Sequence, residues 1–185
     1  MILGITGGTG CGKTTLLKMI AEKGGLILDC DAIYHELLAS DDSLLTAIET
    51  RFPGTVAGGQ LQRKKLGAIV FSDEQALLDL NRITHSAVKA EVLRRLSEQP
   101  KVAAIDAIGL FEGGLAELCD MTVAVTAPEE IRVQRLMQRD SISEDYARSR
   151  IAAQHTENWF RDHCDCTLEN SGTEILSNSK SQYPP

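Results

Sequence analysis

Gly7-Gly8-Thr9-Gly10-Cys11-Gly12-Lys13-Thr14 follows directly on the apolar start Met1-Ile2-Leu3-Gly4-Ile5. The run fits the spacing G-x-x-x-x-G-K-[ST], with a short strand leading into the glycines. Thr15-Leu16-Leu17-Lys18-Met19-Ile20-Ala21 can continue from it as a helix. Glycines at these places let the backbone curl so that successive N–H groups face an anion at the positive end of that helix. Lys13 can reach outer phosphates, and the Thr14 hydroxyl can coordinate Mg2+. A glycine turn that only caps a helix would explain neither the lysine nor the hydroxyl after it.

Outward from this loop, Gly24-Gly25 ends the first helix and Leu26-Ile27-Leu28 reads as a second buried strand, completing a βαβ unit with a right-handed crossover. Strands are expected at 1–6, 26–28, 101–105 and 121–125, with a last short one at Cys166-Thr167-Leu168-Glu169. The stretch 41–98 reads as helical, broken at Phe52-Pro53-Gly54 and near Gly58-Gly59, with no strand. Helices are expected over 129–139 and 143–155. This alternation predicts an α/β fold, a doubly wound parallel sheet with helices on both faces, a helical insert and a helical lid. Ligands then bind beyond the carboxyl ends of the strands, where the loop, Asp29, Asp31, Asp106 and Thr126 fall.

The boundaries that follow are one domain over 1–176, with a core of 1–34, 99–128 and 156–176. The insert spans 35–98 and the lid 129–155, and 177–185 is a polar, disordered tail. With 185 residues, 43% hydrophobic and 24% charged, the chain has an ordinary globular composition. A formal charge of −7 argues against nucleic-acid binding, which needs a basic face. No apolar stretch approaches the ~18 residues of a membrane helix, and Met1 runs into a strand without a basic leader. Five scattered cysteines suggest no disulfide framework, so a reduced, cytoplasmic protein is expected. His163, Cys164 and Cys166 lack a second Cys/His pair at ligand spacing, so zinc is not expected.

Positive charge is instead concentrated locally: Arg132, Arg135, Arg139, Arg148 and Arg150 are five of the eleven arginines. Arg135 and Arg139 are four apart and share a helical face, as a lid would need to bring two guanidinium groups onto a transferring phosphoryl. The alternative is a solvated face paired with Glu129, Glu130, Asp140, Glu144 and Asp145. In extended chain Asp29 and Asp31 project to one side, so either can face the phosphate site. Asp31 reads as an N-cap for the next helix, as a general base for phosphoryl transfer, or as both. Asp106 ends an apolar strand as a metal-holding acid does, or simply caps it. Cys11 stands at a helix N-terminus, where a thiol pKa tends to fall, so alkylation is expected to inactivate the protein and ATP to protect it.

The order of motifs resembles the dephospho-CoA kinase family from Met1 to about Gly172. Gly4-Ile5-Thr6-Gly7-Gly8-Thr9-Gly10-Cys11-Gly12-Lys13-Thr14-Thr15 is similar to its phosphate loop, and Asp29-Cys30-Asp31 with His35 to its Asp-Ala-Asp signature. Gly59-Gln60-Leu61-Gln62-Arg63, Leu80-Asn81-Arg82-Ile83-Thr84-His85 and Leu110-Phe111-Glu112 resemble its acceptor-side segments. Arg135, Arg139, Ile151 and Gln154 follow its lid pattern, and Asp165 with Asn170-x-Gly172 its closing segment near the adenine. Departures are Ser86 in place of proline, Ile108-Gly109 in place of Pro-Leu, and Phe160 where a basic residue is common.

The resemblance implies transfer of the ATP γ-phosphate to the ribose 3′-hydroxyl of dephospho-CoA, in a monomer or weak homo-oligomer with neither nucleic acid nor membrane as partner. It implies Asp31, Lys13, Arg135 and Arg139 as catalytic, and Gly8, Thr9, Gly10, Cys11, Gly12, Lys13, Thr14, Thr15, Arg139, Asn170 and Gly172 as ATP-binding. Thr6, Asp31, His35, Arg63, His85 and Glu112 would bind the acceptor, and Thr14 and Asp106 the Mg2+. Two rivals remain: another small-molecule kinase of this architecture, such as a nucleoside monophosphate kinase, and a regulatory nucleotide-binding switch. The switch predicts a guanine-selecting Asn-Lys-x-Asp stretch, which the sequence lacks.

Overall fold

The computed structural model describes residues 1–172 and the two-residue strand 177–178. In chain order the elements are β1 (Ile2–Thr6), α1 (Lys13–Glu22), β2 (Leu26–Asp29), α2 (Cys30–Ser40), α3 (Asp42–Arg51), β3 (Val56–Ala57), β4 (Gln60–Leu61), α4 (Arg63–Val70) and α5 (Glu74–Leu96). They continue with β5 (Ala103–Asp106), a 3-10 turn (Ala116–Leu118), β6 (Met121–Thr126), α6 (Glu129–Asp140), α7 (Glu144–Ala152), α8 (Glu157–His163), β7 (Cys166–Glu169) and β8 (Ser177–Asn178). Two compact units result: 1–27 with 100–110 and 115–185, and 28–99 with 111–114.

The first unit is built on a sheet of order β2-β5-β1-β6-β7-β8. β1 is central because it is apolar on both faces, and it pairs in parallel with β5 and β6, Ile5 standing opposite Asp106 and Val123. β7 extends the parallel set and β8 closes it antiparallel. The chain leaves β1 toward β2 but later crosses to β6 on the other side, so the loop after β1 opens at the switch point of the sheet. Leu17 of α1 packs on Ile5, Ala104, Val123 and Val125, with Leu16 and Ile20 beside it. Within α6 and α7, Val133, Leu136, Ala147 and Ile151 form a separate small core, since each helix presents a single apolar stripe.

The second unit has its own core of Leu44, Ile48, Phe52, Leu66, Val70 and Ala76, collected from α3, α4 and α5. It departs from expectation in two places. Val56–Ala57 and Gln60–Leu61 form an antiparallel hairpin where the sequence predicts no strand. Gly58 (φ 59°) and Gly59 (φ 73°) both adopt left-handed backbone, the requirement of a two-residue primed turn. The long helical stretch is also broken a third time, at 71–73, where the Asp73 carboxylate caps α5 by accepting from Gln75 and Ala76.

α8 has no counterpart in the sequence expectation. The Thr156 hydroxyl accepts from the Trp159 amide to start it, and Phe160 is its buried anchor. Of the tail expected to be disordered over 177–185, Ser177–Asn178 form β8, and the rest lies outside the described residues. Among the described residues no helix is long and apolar enough to cross a membrane.

Candidate active site

The loop between β1 and α1 is shaped by backbone conformations that side chains resist. Gly7 (φ 131°), Gly10 (φ 78°) and Gly12 (φ 88°) lie at positive φ, and a Cβ on Gly7 would strike the Val125 carbonyl of β6. Gly12 caps α1 without a side-chain bond, and the first turn of α1 carries no acid. The positive helix end is therefore not neutralised by that turn, which fits a polyphosphate. Lys13 Nζ is half-buried and donates to the Gly7 carbonyl at 2.8 Å, lying along the loop. Thr14 and Thr15 are exposed.

α6 lies along the other side of the loop. Arg135 Nη1 donates to the carbonyls of Gly10 (3.1 Å) and Cys11 (3.3 Å), and its Nη2 to the Asn170 carbonyl and Oδ1 (both 3.2 Å). Asn170 thus packs against the loop at Gly12, where a Cβ would strike its Nδ2. Gly172 lies near the same guanidinium, a Cβ there falling 3.4 Å from Arg135 Nη2. Arg132, counted in the arginine cluster but given no role by sequence, is 7% exposed, and its Nε donates to the Thr9 carbonyl at 2.9 Å. Its signal was its position three residues before Arg135, on the same face of the helix, beside the buried Val133.

The other arginines of the cluster pair with acids. Arg139 is 60% exposed and bound to Asp140, and Arg150 reaches the same carboxylate at 2.6 Å. Together these guanidiniums hold the Asp140 carboxyl well below the usual range. Arg148 joins Glu129 and Glu130 of α6 to Glu144 of α7. In this structure, then, Arg135 faces the loop and Arg139 faces solvent, although both are on α6.

Two further expectations change. Burial of Cys11 (3% exposed) pushes its thiol pKa up, outweighing the nearby Arg132 and Lys13, so the thiol is sheltered rather than activated. Thr6 is fully buried and its hydroxyl donates to the Ile108 carbonyl at 3.1 Å, tying down the segment after β5 rather than presenting a ligand group. Asp165 accepts from the Thr122 amide (2.7 Å) and hydroxyl (2.8 Å), which holds its carboxyl below the usual range and joins the start of β7 to β6. Asp106 ends β5 half-buried, opposite Ile5.

In the second unit, Asp29 rather than Asp31 caps α2, accepting from the Ala32 amide at 3.0 Å. The alternation expected for 29–31 fails because Cys30 already begins the helix, and Cys30 is buried while Asp29 and Asp31 are exposed. Asp31 is left in the first turn with its carboxylate free of the capping role. One turn on, His35 Nδ1 lies 3.3 Å from Arg63 Nη2. A guanidinium only donates, so Nδ1 is the acceptor in this contact. Arg63 also offsets part of the upward push that burial gives the Tyr34 hydroxyl pKa. His85 is half-buried on α5, and Glu112 is exposed. The unit thus brings Asp31, His35 and Arg63 together on and beside α2.

Among the described residues no three His, Cys, Asp or Glu side chains gather as a ready-made metal cage.

Known proteins share the sequence pattern and the fold. The pattern of the dephospho-CoA kinase family matches residues 1–175. A dephospho-CoA kinase of Corynebacterium diphtheriae is 34% identical over 178 residues, covering 93% of this chain and 89% of its own. That of Enterococcus faecalis is 36% identical over 177 residues, covering 93% and 89%. Among solved structures, TT1252 from Thermus thermophilus superposes with a TM-score of 0.79 at 33% identity, over 94% of this chain and 90% of its own. The dephospho-CoA kinase from Campylobacter jejuni gives 0.64 at 24% identity, over 93% and 89%, a likeness of fold.

Proposed function

The chain belongs to the dephospho-CoA kinase family, and from that premise we propose how its own residues divide the work of the reaction. The activity is phosphorylation of dephospho-CoA in coenzyme A biosynthesis, and the family uses ATP. The acceptor is the ribose 3′-hydroxyl. Asp31 takes its proton, the freed oxygen bonds to the γ-phosphorus, and the bond from that phosphorus to the β–γ bridging oxygen breaks, releasing ADP. Asp31 suits a base because Asp29 already serves as the helix cap, leaving the neighbouring carboxylate available.

Phosphoryl transfer asks mainly for positioning and charge stabilisation. The loop amides that are not already bonded within the protein, as those of Thr9, Cys11 and Thr15 are, and the Lys13 ammonium hold the β- and γ-phosphates. The Thr14 hydroxyl and Asp106 would hold Mg2+, which would supply charge neutralisation to the phosphates. Arg135 keeps the loop in shape with Asn170 and Gly172 beside it. Arg139, on the exposed side of α6, exchanges Asp140 for the transferring group when the lid 129–155 closes. His35 and Arg63, joined by their hydrogen bond, together with His85 and Glu112, receive the acceptor. The insert 35–98 is the acceptor-binding part, and the protein acts in the cytoplasm, where its free cysteines stay reduced.

The observation that carries this reading is the glycine-shaped loop ending in an acid-free α1 with Lys13 and Thr14 at its start. Its test is ADP release with ATP, Mg2+ and dephospho-CoA, against adenosine, AMP and no acceptor. Release dependent on dephospho-CoA is expected, and release with AMP in its place would overturn the acceptor assignment. Asp31→Asn is expected to lower turnover about 10²- to 10⁴-fold with little change in ATP affinity. Near-normal turnover in that variant would remove Asp31 from the mechanism.

A further inference from the structure

We propose that Arg132 and Gln154 are positioning residues that clamp the Thr9 peptide and thereby hold the phosphate loop in its ATP-binding shape. Thr9 is 8% exposed, and side chains far along the chain satisfy both of its backbone groups. Arg132 Nε donates to its carbonyl at 2.9 Å, and its N–H donates to Gln154 Oε1 at 2.8 Å. Arg132 Nη2 closes the triangle onto the same Oε1 at 3.5 Å. The Thr9 amide and the guanidinium are both donors only, so the Gln154 atom that meets them must be its oxygen.

Arg132 and Arg135 together take three consecutive loop carbonyls, those of Thr9, Gly10 and Cys11. In a planar trans peptide the C=O and the following N–H point in opposite directions. Holding the carbonyls of Thr9 and Cys11 toward α6 therefore turns the N–H groups of Gly10 and Gly12 away from it. The amide between them, that of Cys11, makes a 3.3 Å turn bond to the Gly8 carbonyl.

An independent observation concerns Gly8. It is absent from the positive-φ glycines, so its backbone would accept a side chain. A Cβ there would fall on the Arg132 guanidinium, with Gln154 Oε1 3.2 Å away, so the guanidinium would have to leave its place. The loop is thus cut to receive the clamp.

The inference rests on the reading of the loop as the ATP site. Its test uses the full chain and three measurements: steady-state kinetics in each substrate, ATP affinity by equilibrium binding, and thermal unfolding. Gln154→Leu removes the acceptor and Arg132→Lys removes the fork. Each is expected to raise the KM and Kd for ATP about tenfold, roughly the loss of one charge-assisted hydrogen bond, with kcat and the KM for dephospho-CoA within about threefold.

Gln154→Glu keeps an oxygen facing Thr9 and is expected to restore ATP affinity. The Arg132→Lys/Gln154→Leu double variant is expected to be no worse than the poorer single one, since one clamp is broken once. Gly8→Ala, which displaces the guanidinium without deleting it, is expected to reproduce the same shift. Unchanged ATP affinity in Gln154→Leu and Gly8→Ala at wild-type thermal stability would overturn the proposal. So would equal rises in both substrates' KM. Wild-type ADP release dependent on dephospho-CoA is measured alongside, so a wrong acceptor shows there, while ATP binding still reports on the clamp.

Discussion

Replacing Arg135 with alanine separates two roles that the sequence leaves merged. Its guanidinium makes four hydrogen bonds, two to loop carbonyls and two to Asn170. These come as two shared pairs at 3.1–3.3 Å, so they count as one or two charge-assisted bonds rather than four. The expected loss is about 2–3 kcal/mol of unfolding free energy. For a chain of this size that corresponds to a Tm about 4–12 °C lower. Arg139 is 60% exposed in its pair with Asp140, so Arg139→Ala is expected to cost under about 0.5 kcal/mol while lowering kcat at least about tenfold.

Urea unfolding followed by the fluorescence of Trp159, the one tryptophan, reads the stability of the unit that carries the loop. Trp159 stacks between His155 and His163 (centroids 3.7 and 4.0 Å), so a fixed pH near 8 keeps its signal comparable between variants. Arg135→Ala within about 0.5 kcal/mol of wild type would refute the reasoning, because contacts that cost nothing to remove cannot be holding the loop.

Gly7→Ala combines a positive φ with a collision against the Val125 carbonyl and is expected to cost about 3 kcal/mol or more; a variant with unchanged Tm would contradict this. Cys11 is expected to react with iodoacetamide at pH 8 far more slowly than a free cysteine, because burial lowers both its thiolate fraction and its access; modification at the free rate, seen by mass spectrometry, would count against it. Asp165→Asn is expected to lower stability at pH 7 by about 1 kcal/mol. The Asp165 carboxyl pKa is depressed in the fold, so its contribution is present above the ordinary carboxylate value and fades as pH falls below about 4. A wild type and variant that differ equally at pH 3 and pH 7 would show that the two Thr122 bonds are not its source.

Much of this molecule was legible as sequence because the relevant signals are local. The run Gly7–Thr14 carries its own backbone requirements, and four apolar runs at strand length announced β1, β2, β5 and β6. The Gly58-Gly59 pair was an equally local signal for the hairpin of β3 and β4, masked by the helical periodicity on either side. A helix that starts two residues earlier than expected, at Cys30 and not Ala32, decided between Asp29 and Asp31 as the cap. Period-two reasoning cannot detect that shift, because a helix starting at Cys30 breaks the alternation.

The sequence by itself determined the phosphate loop, the α/β order of elements and the family, since each rests on neighbouring residues. Which arginine does what was decided only by tertiary structure. Arg132, Arg135 and Arg139 share one helix face and one chemistry, yet two meet loop carbonyls more than a hundred residues earlier and one meets its neighbour Asp140. The same holds for Cys11, whose helix-end position alone suggests an activated thiol. Desolvation by side chains distant in sequence overrides that position, because burial and hydrogen-bond partners belong to the packed chain and not to any window of it.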